Sequence, residues 1–447
     1  MTSAVLGRAI HAPAAIEALP RALLVIDDAG DIVSVDPEVT PDDKRLEMFR
    51  QAGTLTELSD DQVLLPGLVD LHVHAPQFPQ LGTALDLPLE DWLQAHTFPL
   101  ESRYADLAFA GAVYNRLVDT LLAHGTTTAL YFATTHVPAT QRLAEICLAR
   151  GQRALVGRVS MDHPAQCPDF YRDGSAAQAV ADTSTVIDFI RAMPGNAGGL
   201  VRPVVTPRFV PSCTDALLDS LGALAAATGC HVQTHCSESD WQHGHVLQRF
   251  GCSDAHVLDR AGLLGRRSVL AHGNFLGDDD VALLRRRGAA VAHCPLSNVY
   301  FSDAVLPLRA MLEAGLRVGL GSDIAGGPSA SLFEAARQAV ACSRLLEHGV
   351  DPRLDPAARG RPRSRIDFRT AFRLATAAGG EALDLPIGVF RPGFAFDAMA
   401  VQSGLPDGNV TFAAGEDCDA VLQKIVMGAG RGDIAMVWVA GRVVRAR

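Results

Sequence analysis

Between about residues 66 and 375 the chain alternates two kinds of segment. Short apolar runs rich in β-branched residues are each followed by a longer stretch of helical spacing. A glycine commonly closes the helix before the next run. The strand-like runs are LVDLHVH (68–74), TTTALYF (126–132), RALVGRVSMD (153–162), GLVRPVVTP (199–207), CHVQTH (230–235), RSVLAH (267–272), AAVAHC (289–294) and RVGLGSD (317–323). Helical stretches between them include 109–125, 215–229 and 278–288. Eight such strands with intervening helices predict a (β/α)8 barrel of the TIM type. A doubly wound open sheet is the alternative, but no G-x-G-x-x-G opens a helix after the first strand, which argues against a dinucleotide fold.

The two ends of the chain read differently. RALLVIDDAGDIVSVD (21–36) turns at Asp28-Ala29-Gly30, and FDAMAVQ (396–402) and AMVWVAGRVVRAR (435–447) are β-like, the latter turning near Ala440-Gly441. A smaller β-sandwich built from both ends, 1–65 and 376–447, around an inserted catalytic barrel, 66–375, accounts for this pattern. At 447 residues the chain is also too long for one core of ordinary size.

The net charge of −11 makes phosphate backbones poor partners, so no nucleic acid is expected. No basic segment leads into an apolar one at the start, and no run approaches a membrane span. The nine cysteines are scattered, with no C-x-x-C, as for reduced thiols in the cytoplasm. Cys147, Cys230 and Cys342 read as inert core. Cys236 and Cys294 lie beside the features below, with a catalytic cysteine as the weaker alternative.

The run PGLVDLHVHAPQF (66–78) ends in H-x-H. Residues i and i+2 of a strand face the same side, so His72 and His74 form a pair suited to one metal ion, or two buried histidines bonded to backbone. The other strands decide between these. In a barrel the C-terminal strand ends meet at one mouth. His235 ends the fifth strand, His272 the sixth and Asp323 the eighth, so five candidate metal-site residues fall at one face. Histidines with one carboxylate suit zinc, with Fe2+ as the alternative. The only lysines, Lys44 and Lys424, lie in the terminal β pieces, so a lysine-bridged pair of metals is excluded and one ion per chain is expected. A bound ion generates hydroxide from water near neutral pH. Asp323 could ligate it and take the proton, and Glu238 suits a general acid for a ring nitrogen and the leaving group. The competing reading of Glu238 is a helix-start carboxylate. A second H-x-H, His243 and His245, falls in a helical stretch where i and i+2 do not share a face, and reads as packing. His293, in AHCPLSN, stays open.

PGLVDLHVH, THCSE, LAHG and GLGSD together resemble the amidohydrolase superfamily. Within it, the loop HVHAPQFPQLGTALDLPLEDWLQAHTFPLE (72–101), TPRF (206–209), VAHCPLSN (291–298) and GLGSDIAGG (319–327) resemble the guanine deaminase family. That resemblance implies hydrolysis of guanine to xanthine and ammonia with one zinc. It implies zinc ligands at His72, His74, His235 and Asp323, and His272 holding the metal-bound water or the developing tetrahedral centre. It implies proton transfer by Glu238, and base recognition by Gln77, Arg208 and Phe209, with His235, Glu238 and His272 also against the substrate. A homodimer is implied too. The residue types make sense: Arg208 donates to a carbonyl oxygen, Gln77 donates and accepts, and Phe209 stacks. Ser239 stands where the family commonly has asparagine, which bears on fine substrate choice. The rival readings are a relative acting on another aminated heterocycle (8-oxoguanine, a pterin or a triazine) and a non-catalytic scaffold of the same fold. The arginine-rich stretch 353–365 reads as a solvated loop.

Overall fold

The structure, a computed structural model, describes residues 2–447. The chain opens with β1 (Ser3–His11), β2 (Glu17–Ile26), β3 (Ile32–Asp36), β4 (Leu55–Glu57) and β5 (Gln62–Pro66). Then come β6 (Leu68–His74), β7 (Thr126–Phe132), β8 (Arg153–Ser160), β9 (Val201–Pro207), β10 (His231–Cys236), β11 (Ser268–His272), β12 (Ala290–His293) and β13 (Arg317–Leu320). It closes with β14 (Ala398–Gln402), β15 (Ile434–Val439) and β16 (Arg442–Ala446).

Strands β6 to β13 pair in chain order, and every pairing is parallel. The seam between β13 and β6 closes just beyond the ladder. Asp323 N–H donates to the His72 carbonyl (2.8 Å) and His74 N–H to that of Ile324 (2.9 Å). The buried Asp70 carboxylate accepts from Ser322 N–H at 2.9 Å. Strands β6, β7 and β8 are buried along their whole length, which is why they read as continuous apolar runs rather than alternating ones. Left-handed glycines end the helices Val137–Arg150 and Asp215–Thr228, Gly151 (φ 72°) and Gly229 (φ 65°), turning the chain straight into β8 and β10.

One end of the barrel is plugged. Ala382, Leu383, Leu385 and Ile387 pack into the inward layer of Val69, Leu71, Leu130, Leu155, Val204 and Val269, and His231 at the start of β10 meets the Leu383 carbonyl at 2.7 Å. The C-terminal end of the strands is open, and a cleft lies there.

The terminal strands form one mixed sheet in the order β16-β15-β14-β5-β1-β2-β3, with β4 beside β1. The two halves of the expected sandwich are thus joined through β5. The sheet bends until its far parts meet: Ile32 N–H donates to Phe394 C=O and Phe396 N–H to Gly30 C=O, both at 2.8 Å. The bend encloses Val5, Leu24, Ile32, Leu64, Phe396 and Trp438. Two helices, Lys44–Gln51 and Cys418–Gly428, interrupt these terminal regions, which read as β from sequence. Asp43 and Asp417 cap them, accepting from Arg45 N–H and Ala420 N–H. Both lysines sit on these helices and not in strands. Among the described residues no helix is long and apolar enough to cross a membrane.

Candidate active site

Six imidazole and carboxylate side chains converge at the open mouth. His72 and His74 leave the end of β6 on the same side, their ring centroids 4.8 Å apart. His235, next to last in β10, brings its Nε2 to 2.9 Å from that of His74. Asp323 lies in the turn three residues past β13, its Oδ1 3.2 Å from His72 Nε2 and 3.6 Å from His74 Nε2. His272 Nε2 stands 3.8 Å from Asp323 Oδ2 and 3.5 Å from Glu238 Oε1. His272 and Asp323 both take left-handed backbone, φ 74° and 49°, as the chain leaves β11 and passes the end of β13. Such conformations in non-glycine residues concentrate at functional sites.

These groups fit one divalent ion. His235 Nδ1 lies 2.5 Å from the Arg208 carbonyl, so Nδ1–H donates there and Nε2 presents a lone pair. Burial drives the pKa values of His74 and His235 well below that of free imidazole, and lowers His72 too, so the rings are neutral donors. For Asp323 burial opposes ionisation, but the imidazoles of His72, His272 and His74 outweigh it and hold the carboxyl well below its usual range. His72 Nε2 and His272 Nε2 are buried without a well-aligned hydrogen bond among the described residues, their nearest carboxylate oxygens being those of Asp323 and Glu238. Neutral nitrogens and one carboxylate around a common centre are the donor set of zinc or a similar first-row ion. Neither lysine belongs to the barrel.

Glu238 follows β10 just before Ser239 caps the helix Asp240–Phe250, and it points into the mouth rather than onto the helix end. Its carboxyl, pushed up to about 7 by burial, is poised to hold or give up a proton near neutrality.

The cleft encloses about 400 Å³ including its opening. Gln77, Arg208, Phe209, His74, His235, Glu238 and Asp323 line it together with Leu89, Trp92, Leu93 and Phe301. His72 and His272 lie beneath, fully buried. All nine residues singled out from sequence therefore come together. Arg208 is buried in an ion pair and not on the surface. Cys236 and Cys294 are buried, and burial raises both thiols well above the ordinary cysteine value, which disfavours a thiolate nucleophile. Cys294 does lie against His272 and Asp323. His243 stacks on Phe275 and His245 lies tilted against Trp241, both as packing residues. The 353–365 loop does not line the cleft; Arg353 and Arg363 pair with Asp351 and Glu313.

Three contributors escape a reading of strand ends. Asn298 Oδ1 sits 3.0 Å from His272 Nδ1 and fixes the ring. Asp254, buried, accepts from Ser237 Oγ (3.1 Å) and Gln242 Nε2 (2.8 Å) and braces the turn that carries Glu238. Glu101, fully buried, meets both Arg208 and Gln77. It closes the quoted loop 72–101, so the motif contained it, but nothing local marks its partners.

A (β/α)8 barrel with clustered imidazoles, an ionised carboxylate and a buried acid at its open mouth defines a hydrolase of the metal-dependent barrel class. Comparison with known proteins gives the narrower grouping. The chain belongs to the amidohydrolase family, whose model matches residues 63–444. It is 35% identical to guanine deaminase of Dictyostelium discoideum over 96% of this chain and 95% of that protein. It is 34% identical to guanine deaminase of Homo sapiens over 96% of this chain and 93% of that one. Among solved structures, the guanine deaminase of C. acetobutylicum with guanine bound in its active site superposes with a TM-score of 0.87 at 27% identity, covering 99% of this chain and all of that one.

Proposed function

We propose that this protein is a guanine deaminase, hydrolysing guanine to xanthine and ammonia with one zinc ion per chain held by His72, His74, His235 and Asp323. The observation that carries the reading is one cleft in which a metal-type donor set, a buried acid near neutrality and a wall of Gln77, Arg208 and Phe209 face each other. When bound, zinc lowers the pKa of a coordinated water and so makes an attacking hydroxide available near neutral pH.

The chain's own groups do the rest. Asp323, ionised, takes the proton of the attacking water. Oxygen bonds to the amino-bearing carbon, and Glu238 protonates the adjacent ring nitrogen. His272, held by Asn298, stands beside the tetrahedral carbon and hydrogen-bonds its oxygen. Asp323 passes the proton it took from water to Glu238, which delivers it to the amino group; the C–N bond breaks, ammonia leaves, and the hydroxyl proton of the collapsing centre returns to Glu238 as the carbonyl forms. Arg208 and Gln77 grip the polar edge of the base, and Phe209 covers its face. All nine cysteines are free, which supports the cytoplasm as the setting; a homodimer serving purine catabolism completes the proposal.

The test is ammonia release from guanine, 8-oxoguanine, adenine, a pterin and a triazine by zinc-loaded protein, beside Glu238→Gln. A clear preference for guanine, with the variant down at least about a hundredfold in kcat, is expected. Preference for another heterocycle would sink the substrate assignment. Silence across the panel with metal bound would favour a scaffold.

A further inference from the structure

The recognition wall is built around one carboxylate. Glu101 Oε2 accepts from Arg208 Nη1 at 2.7 Å, and Oε1 accepts from Arg208 Nη2 at 3.1 Å and from Gln77 Nε2 at 2.8 Å. Glu101 and Arg208 are both buried, so this is a water-excluded two-point ion pair with a third donor attached. The short helix Phe98–Ser102 grips the guanidinium from a second side, the Phe98 ring centre lying 5.0 Å from Arg208 Cζ. The remaining amide group of Gln77 is also committed: its Oε1 accepts from Ala325 N–H at 3.3 Å.

Donor arithmetic then defines what the cleft can offer. A guanidinium has five N–H groups, and two are held by Glu101, leaving one on each Nη and that on Nε. Gln77 retains one N–H and one lone pair. Its amide cannot turn over without setting its carbonyl against the Glu101 carboxylate, so the order of donor and acceptor along the wall is fixed. The ion pair also cancels the charge of Arg208, so the wall selects by hydrogen-bond pattern and not by attraction to anions. A guanidinium free to swing, or an amide free to flip, would lose both properties.

We infer that Glu101 is a positioning residue for base recognition, acting through Arg208 and Gln77 and setting the preference for a purine with an oxygen at C6. This rests on the proposed guanine deaminase activity. The test compares guanine with 2-aminopurine, which carries the same reacting amino group but no C6 oxygen, followed as substrate or as competitive inhibitor of the zinc-loaded full chain. Glu101→Gln removes the counter-charge and one acceptor at constant size. The guanine to 2-aminopurine ratio of kcat/KM (or of binding) is expected to fall about tenfold, as for losing one well-aligned charged hydrogen bond. The loss should appear in KM for guanine, with 2-aminopurine changed less than about threefold and metal content unaltered. Glu101→Asp keeps the charge and guards against misfolding. One methylene shorter, it cannot reach both partners, and it should shift the ratio in the same direction. In an Arg208→Gln background, where only the Gln77 contact remains, the Glu101→Gln change should lower the ratio clearly less than it does in the parent. An unchanged ratio in both single variants, equal losses on both bases, or a fall in the Arg208→Gln background as large as that in the parent overturns the inference while leaving the activity standing. No turnover of guanine by the parent protein overturns both.

Discussion

Around the site, single buried carboxyls differ sharply because their partners differ. Asp323 faces imidazoles and stays ionised, whereas Asp254 takes its side-chain hydrogen bonds from the neutral Gln242 and Ser237 with a smaller pull from His243, and burial outweighs these and pushes it up to about 6. Its pKa in the unfolded chain is the ordinary 3.8, so the folded state holds the proton more tightly. The stability this carboxyl contributes is therefore complete below pH 3.8 and is lost as pH rises through about 6. Asp254→Asn imitates the protonated form. Thermal melts of variant and parent at several pH values should show the variant gaining on the parent between about pH 4 and 7, by on the order of 1–3 kcal/mol at the upper end. A difference that stays flat across that range would refute it. The same contrast explains which residues were legible in the sequence. His72, His74, His235, His272 and Asp323 could be found because strand ends share a mouth whatever the loops do. Glu101 could not: its partner Arg208 lies 107 positions away, and only the folded loop brings them together.

At the scale of elements, the eight barrel strands were legible to within about three residues, because full burial writes itself as an apolar run and glycine marks the helix ends. The helices Lys44–Gln51 and Cys418–Gly428 were not, since each is short and lies among β-rich sequence whose pattern dominates. The barrel interior also has a constraint invisible in the pattern. A Cβ on Gly157 of β8 would sit 1.9 Å from Thr206 Oγ1 on β9 and 2.8 Å from Gln233 Nε2 on β10. Those side chains are themselves tied, Gln233 Nε2 donating to Thr206 Oγ1 (2.9 Å) and to the Tyr131 carbonyl (2.8 Å). One methyl group thus breaks a buried polar layer spanning three neighbouring strands and their contact with β7. Gly157→Ala should destabilise the protein by about 1–3 kcal/mol or more, read as a lower urea midpoint. An unmoved midpoint would mean the layer yields freely.

For the whole molecule, two ties matter. One holds the barrel to the terminal sheet: Arg153 at the start of β8 pairs with Asp397 at 2.7 and 3.0 Å, and Asp397 also accepts from Ala440 N–H at 2.8 Å. Both side chains are buried, so Asp397→Ala strands a charge, at a cost of about 3–5 kcal/mol. The pair lies at the opposite end of β8 from the mouth, so kcat on the folded fraction should stay within about twofold. A large loss of kcat without loss of stability would show the two ends to be coupled.

The second tie is the proposed ion. Its ligands come from β6, from β10 and from the turn after β13, the first, fifth and last strands of the barrel, so a single ion would staple the closing seam to the far wall. Without it, an ionised Asp323 and three neutral imidazoles remain packed together in a buried site, with the seam bonds of Asp323 and His74 to the opposite strand as their main restraint. Ligand binding to the folded state alone stabilises by mass action, about 2.7 kcal/mol at a free concentration a hundred times Kd. Treatment with a chelator should therefore lower Tm by several degrees and abolish ammonia release, and zinc should restore both in parallel at about one equivalent per chain. Asp323→Asn, which keeps the shape and weakens the ligand, should melt near the chelated parent and respond little to added zinc. If chelation leaves Tm unchanged, or restoration needs two equivalents, the single staple across the barrel is wrong even where the chemistry survives.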